Sequence, residues 1–208
     1  TANQIAVWND STDELRSDAA ISIATDGTIT LYQPNSDDPI VVTNSYNIGG
    51  GNIANVTGRN NVGFGKDNLS TITSGYENIA IGNEAGKGIT TGNFNVSIGE
   101  YTAIRANSGQ ENTTTVGWGA NRWNTGDHNT AIGASALTGA YTGTNNGYSN
   151  TAIGASSLNN LTTGFENTSL GTDSLTNLTT GQKNTALGYQ SGNAITTGSK
   201  NVIIGSFD

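Results

Sequence analysis

Asn129-Thr-Ala-Ile-Gly133 is a pentad that returns along most of this chain. It recurs as Asn150-Thr-Ala-Ile-Gly154, Asn167-Thr-Ser-Leu-Gly171, Asn184-Thr-Ala-Leu-Gly188 and Asn201-Val-Ile-Ile-Gly205, and upstream as Asn78-Ile-Ala-Ile-Gly82 and Asn95-Val-Ser-Ile-Gly99. Aligned on asparagine, the copies begin at Asn44, Asn61, Asn78, Asn95, Asn112, Asn129, Asn150, Asn167, Asn184 and Asn201, at intervals of 17 residues with a single one of 21. A glycine stands three residues before every copy but the first.

Seventeen residues are too few for helix-pair repeats, which need about 33 or more. With glycine punctuation and β-branched residues, the period predicts an all-β chain, a parallel β-solenoid (β-roll) whose equivalent residues stack at about 4.8 Å per coil. About ten 17-residue coils then fill a repeat domain over 41–208. No coil buries an apolar face alone, so neighbours must stack.

Within each coil the pentad reads as a short strand. Its fourth residue is apolar (Phe64, Ile81, Ile98, Ile132, Ile153, Leu170, Leu187, Ile204) and is expected to point inward. A second inward column is expected eight residues on, at Ile72, Ile89, Ala106, Trp123, Ala140, Leu161, Leu178 and Ile195. The ten asparagines are read as a structural ladder, each buried amide bonding those above and below. Glycines before and after the strand fit corners with positive φ. The strand carries no charge on either face, so its second face is expected to be covered by copies of the same chain.

Residues 1–40 differ in composition, with seven acids against Arg16 alone, while the remainder holds nine acids and seven bases. Two alternating runs around Asp26-Gly27 predict a β-hairpin, giving this segment the role of cap or assembly element. An acidic head on a near-neutral body argues against nucleic acid, which needs a basic stripe. No apolar run approaches the roughly 18 residues needed to cross a bilayer. Cysteine is absent, which removes disulfides and thiolate metal sites, and nothing points to a cofactor or metal.

Asn129-Thr-Ala-Ile-Gly-Ala-Ser-Ala-Leu137 resembles the head repeats of YadA-type trimeric autotransporter adhesins, where an Ala-Ile-Gly-x-x-Ser core builds a left-handed parallel β-roll. It is similar also to repeats in bacteriophage tail fibres. The resemblance covers about 44–208. It implies homotrimers, an extracellular, cell-surface or virion location, and attachment rather than catalysis.

Two features bear on function. The last pentad is the most apolar, and Val202, Ile203 and Ile204 are expected to be covered end to end by the N-terminal hairpin of another copy or by its Ile5, Val7 and Trp8, producing a filament. Around the 21-residue interval, Trp118, Trp123, Tyr141 and Tyr148 could stack on sugar rings of a surface glycan. The competing account places Trp123 in the inward column, with the tyrosines over a bulge. Catalysis has little to work with. His128 is the only histidine, and Glu77, Glu111 and Glu166 share one solvated corner column. The chain therefore reads as a non-enzymatic structural subunit of an extracellular filament. The alternative is a trimeric tail-fibre or adhesin segment that binds glycan.

Overall fold

A computed structural model describes residues 20–23, 29–32, 45–48, 60–103, 109–141 and 145–206, with side chains from residue 60 onward. The chain divides into two compact units, Thr1–Val41 and Val42–Asp208. In the first, β1 (Ala20–Ile23) pairs antiparallel with β2 (Ile29–Tyr32), Ile23 opposite Ile29. The expected turn at Asp26-Gly27 lies outside the described residues.

The second unit is a parallel β-solenoid. Its strands are β3 (Ser45–Ile48), β4 (Asn61–Phe64), β5 (Ile79–Ile81), β6 (Val96–Ile98), β7 (Thr114–Val116), β8 (Thr130–Ile132), β9 (Thr151–Ile153), β10 (Thr168–Leu170), β11 (Thr185–Leu187) and β12 (Val202–Ile204), and they form one sheet in chain order. The nine strands β4 to β12 bound eight complete turns, slightly fewer than the ten coils read from the spacing. Coil positions are numbered below from the ladder residue, so that Asn78 is position 1 and Gly82 position 5.

Positions 1 and 3 point inward. Asn78, Asn129, Asn167 and Asn184 are buried, as are Ala80, Ser97, Thr115, Ala131, Ala152, Ser169 and Ala186. Positions 2 and 4 therefore point outward, because side chains alternate along a strand. Ile81 is 39% exposed and Leu170 43%. This corrects the expected inward column at the pentad's fourth residue. An inward asparagine at position 1 and an inward isoleucine at position 4 are incompatible on one strand.

The interior comes instead from positions 9 and 12. Position 12 holds Ile72, Ile89, Leu161 and Leu178, as the spacing predicts, and all are buried. Position 9 holds Leu69, Leu137, Leu158 and Leu175, each fully buried and each in the left-handed region, with φ between 44° and 52°. A leucine there costs on the order of 1 kcal/mol of backbone strain, outweighed by roughly 1.5–3 kcal/mol from burying its side chain. Small residues at position 3 leave room for these two columns.

The glycines serve two different ends. Gly171, at position 5, has φ 140°, and a Cβ there would lie 2.3 Å from the Gly188 carbonyl oxygen. Gly181, at position 15, does not have positive φ, contrary to the corner reading. Its Cβ would lie 2.1 Å from the Gly198 carbonyl oxygen and 2.6 Å from Leu178 Cδ1, so close packing of successive coils is the constraint.

Between Asn61 and Asn201 the ladder is present and interrupted once. Asn78 Nδ2 donates to Asn61 Oδ1 at 3.0 Å and to the Gly92 carbonyl at 2.8 Å. Its Oδ1 in turn accepts from the backbone N–H and Nδ2 of Asn95. Both amide protons and both oxygen lone pairs are used, which neither Asp nor Ser could reproduce. The pattern links Asn61, Asn78 and Asn95, then resumes through Asn129, Asn150, Asn167, Asn184 and Asn201.

Asn112 is not in the ladder. Val96 pairs with Thr114, which sets Thr113 at position 1; Thr113 is buried and its N–H donates to Asn95 Oδ1 at 3.1 Å. Asn112 is exposed at position 17 with φ 53°. The interval into this coil is thus 18 residues and the next 16, a compensation hidden by counting asparagines. Gln110, not Gly109, takes the position-15 place, and its Nε2 donates to the Gly126 carbonyl at 2.9 Å, a bond the ladder amides make elsewhere. The first coil shifts likewise: Ser45 pairs with Asn61, and Asn44 lies outside the described residues.

Candidate functional site

Three regions depart from what a repeating scaffold alone requires. The first is the outer face of the sheet. Position 2 presents Val62, Ile79, Val96, Thr114, Thr130, Thr151, Thr168, Thr185 and Val202, and position 4 Phe64, Ile81, Ile98, Val116, Ile132, Ile153, Leu170, Leu187 and Ile204. The ranks are in register from strand to strand, Thr151 beside Thr168 beside Thr185 and Ile153 beside Leu170 beside Leu187. Eight strand intervals make this face about 38 Å long, and neither rank holds a charge. On β12, Val202 and Ile204 reach 74% and 73% exposure, while Ile203 turns inward and is half-buried. Ile5, Val7 and Trp8, expected to cover them, lie outside the described residues.

The second region is a polar section of the interior. One apolar cluster includes Leu69, Ile72, Ala80, Ala85, Ile89 and Ala103; the other includes Ala120, Ala131, Leu137, Leu158, Leu161, Leu175 and Leu178. Between them the interior positions carry Ser97, Thr102, Gln110, Thr113, Thr115, Asn121 and Asn124, all buried. Asn121 stands at the leucine position, fully buried, and neither atom of its amide has a hydrogen-bond partner. Gln110 Oε1 and Ser97 Oγ are also unpartnered. Composition alone gave no sign of this section, because it depends on the register shift at Thr113.

The third region is aromatic. Counted from Thr113, Asn124 and not Trp123 fills inward position 12, and the residue that the 16-residue coil lacks falls between Asn124 and Gly126. The inward assignment of Trp123 is therefore overturned. Trp123 is half-buried at the surface beside Tyr141, their centroids 5.0 Å apart and their planes at 81°. Arg122 lies across the cluster, its Cζ 4.6 Å from the Trp123 centroid and 4.9 Å from that of Tyr101. Tyr101 makes an edge contact with Trp118 at 6.5 Å. Tyr148 is elsewhere, stacked on Phe165 at 4.9 Å and 3°. The 21-residue interval is closed by Asn145, whose side chain bonds the backbone of Ala140 in both directions, so Ala140 is only half-buried.

Groups of catalytic type are dispersed. His128 is an exposed corner residue whose backbone N–H donates to the Glu111 carbonyl at 3.0 Å. Glu77 and Glu166 share position 17 with it, but Glu111 moves to position 16, where its carboxylate accepts from Asn93 at 3.1 Å. Glu166 pairs with Lys183 at 3.7 Å. Among the described residues no group of three or more His, Cys, Asp or Glu could hold a metal ion.

No family model, curated protein or solved structure gives a match to this chain.

Proposed function

We propose that the chain is a non-enzymatic structural subunit of an extracellular fibre, whose copies associate through the outer face of the solenoid sheet. The observation that carries this reading is the pair of uncharged ranks at positions 2 and 4, half-exposed along nine strands. The position-4 rank is apolar on all nine strands, and a contiguous apolar row of this length is unusual on a monomer surface and marks an association site. Covering them with a second copy gains about 25 cal/mol for each square ångström of apolar surface buried. Copies around an axis parallel to the rod form a homotrimer, the arrangement that the adhesin-like and tail-fibre-like repeats suggest. The same resemblance suggests the cell or virion surface as the location. End-to-end coupling through Ile5, Val7 and Trp8 carries no part of this reading.

Sedimentation equilibrium at native salt tests it. The expected species is a trimer, reduced to monomer by Ile132→Asp with Leu170→Asp while the far-ultraviolet spectrum is retained. A native chain that stays monomeric at tens of micromolar overturns the proposal.

A second reading, glycan attachment by such a fibre, is favoured by the aromatic region. The one-residue shift at Thr113 that places Trp123 at the surface brings Arg122 and three further aromatic rings together there. Glycan-array binding by the full chain, abolished by Trp118→Ala with Tyr141→Ala, tests it.

A further inference from the structure

The aromatic region contains a cation whose chemistry narrows the ligand. Arg122 is the only charged side chain in it among the described residues. Among the described residues it forms no ion pair; the two present are Lys87–Glu84 and Lys183–Glu166. Its Nε is buried without a hydrogen-bond partner, while its guanidinium rests against Tyr101 and Trp123. Ring contacts on a guanidinium fix the plane of the fork and leave its N–H edge for an anion. The nearest acid in the same corner column as Trp118 is Glu100. It accepts from Asn83 Nδ2 at 3.1 Å, on the preceding coil and so away from the Trp118 side.

The surroundings are those of a sugar platform. Trp118 is 51% exposed and Tyr141 64%. Trp118 is the only tryptophan at position 6, which other coils fill with Lys66, Asn83, Glu100, Ala134, Ala155, Thr172 and Tyr189. All five residues of the cluster lie after the position-5 glycine, whereas the uncharged ranks precede it, so packing of copies along the ranks does not require these side chains. The coil that carries Arg122 is also the irregular one, with 16 residues and a polar interior. Stacking energy alone favours neither departure, as the leucine-filled coils on its C-terminal side demonstrate.

We propose that Tyr101, Trp118, Arg122, Trp123 and Tyr141 form a binding site for a saccharide that carries carboxylates. Exposed aromatic faces take the apolar faces of the sugar rings, and the fork of Arg122 takes a sugar carboxylate through two parallel N–H···O bonds. The chemistry discriminates against neutral glycans, since Arg122 then has no charge to meet. This deepens the glycan reading above and is independent of how copies associate.

The test uses the full chain and linear oligogalacturonate as the probe, with maltohexaose as the neutral comparison. Binding is followed by calorimetry and by tryptophan fluorescence, the chain holding three tryptophans. Saturable binding of oligogalacturonate and none of maltohexaose is expected. Arg122→Gln should weaken it at least about tenfold, in line with loss of a bidentate charged contact, and Arg122→Lys should restore only part. Trp118→Ala should also weaken it, whereas Tyr148→Ala, stacked on Phe165, should leave it unchanged. Equal binding of maltohexaose overturns the role given to Arg122. No saturation with oligogalacturonate or sialyllactose, or affinity indifferent to Arg122→Gln and Trp118→Ala, overturns the site. Sedimentation of the same samples keeps the outcomes apart. Sugar binding by a monomer sinks the fibre proposal alone; a trimer without sugar binding sinks the glycan reading alone.

Discussion

Asn78 Oδ1 accepts two hydrogen bonds from Asn95, one from the backbone N–H at 3.0 Å and one from Nδ2 at 2.9 Å. One side-chain oxygen thus fastens both the main chain and the side chain of the next coil. Asn167 is held the same way between Asn150 and Asn184. Replacing it by Ala removes four such bonds and leaves the Asn184 N–H and the Gly181 carbonyl buried without partners. At about 1–3 kcal/mol for each orphaned group, Asn167→Ala should cost about 3 kcal/mol in urea unfolding. Asn112→Gly should stay within about 0.5 kcal/mol, because an exposed residue at positive φ loses little on becoming glycine.

Glycines supply a sharper test of register. Gly171→Ala places a Cβ 2.3 Å from the Gly188 carbonyl oxygen at φ 140°, and the next coil cannot retreat without breaking its strand pairing. The variant should be unfolded, or destabilised by more than about 4 kcal/mol. Gly109→Ala should be neutral, since the nearest atom to the added carbon, Thr91 Oγ1, is 4.0 Å away. Circular-dichroism melting curves of the two variants check both statements. If Gly109→Ala melts like Gly171→Ala, Gly109 is the true position-15 glycine and the shift at Gln110 is wrong.

The sequence exposed the solenoid, its period and the ladder, because each is a statement about spacing. Which way the isoleucines point was harder. Apolar residues at positions 4 and 12 both looked internal, and only alternation from an inward Asn forces Ile132 and Leu170 to the outside. Leu137 carries no core signal in the sequence, since its left-handed backbone belongs to neither a strand nor a helix pattern. The aromatic region was half visible. Tryptophans and tyrosines near an irregular interval could be noted, but placing Trp123 outside and Asn124 inside needs the paired 18- and 16-residue coils, whose errors cancel in any count of asparagines.

Inversion of the two faces makes a quantitative difference. Leu158→Ala removes a fully buried side chain and should cost 2–5 kcal/mol, as large-to-small core substitutions do. Ile153→Thr, on the outer face, should change the unfolding free energy of a dissociated subunit by less than about 1 kcal/mol. Measuring both in the background of the dissociating pair Ile132→Asp and Leu170→Asp separates folding from association. Equal losses at the two sites return the pentad's fourth residue to the interior.

The polar interior section should be the weakest point of the rod. Asn121 occupies a position where Leu137, Leu158 and Leu175 are accommodated at nearly the same φ, 51° against 48–52°, so Asn121→Leu asks nothing new of the backbone. It removes a buried amide with no partners on either atom, a burden of about 1–3 kcal/mol, and restores apolar contact between Ala103 on one side and Leu137 on the other. The substitution should raise stability by at least about 1 kcal/mol. Before it, hydrogen exchange should show residues 61–103 opening independently of residues 129–198, as two apolar clusters joined by a polar coil permit; after it, the two stretches should exchange with closer protection. A destabilised Asn121→Leu would mean that water held by the amide, not void, fills that section, and the gain expected from leucine would be cancelled by the water it displaces.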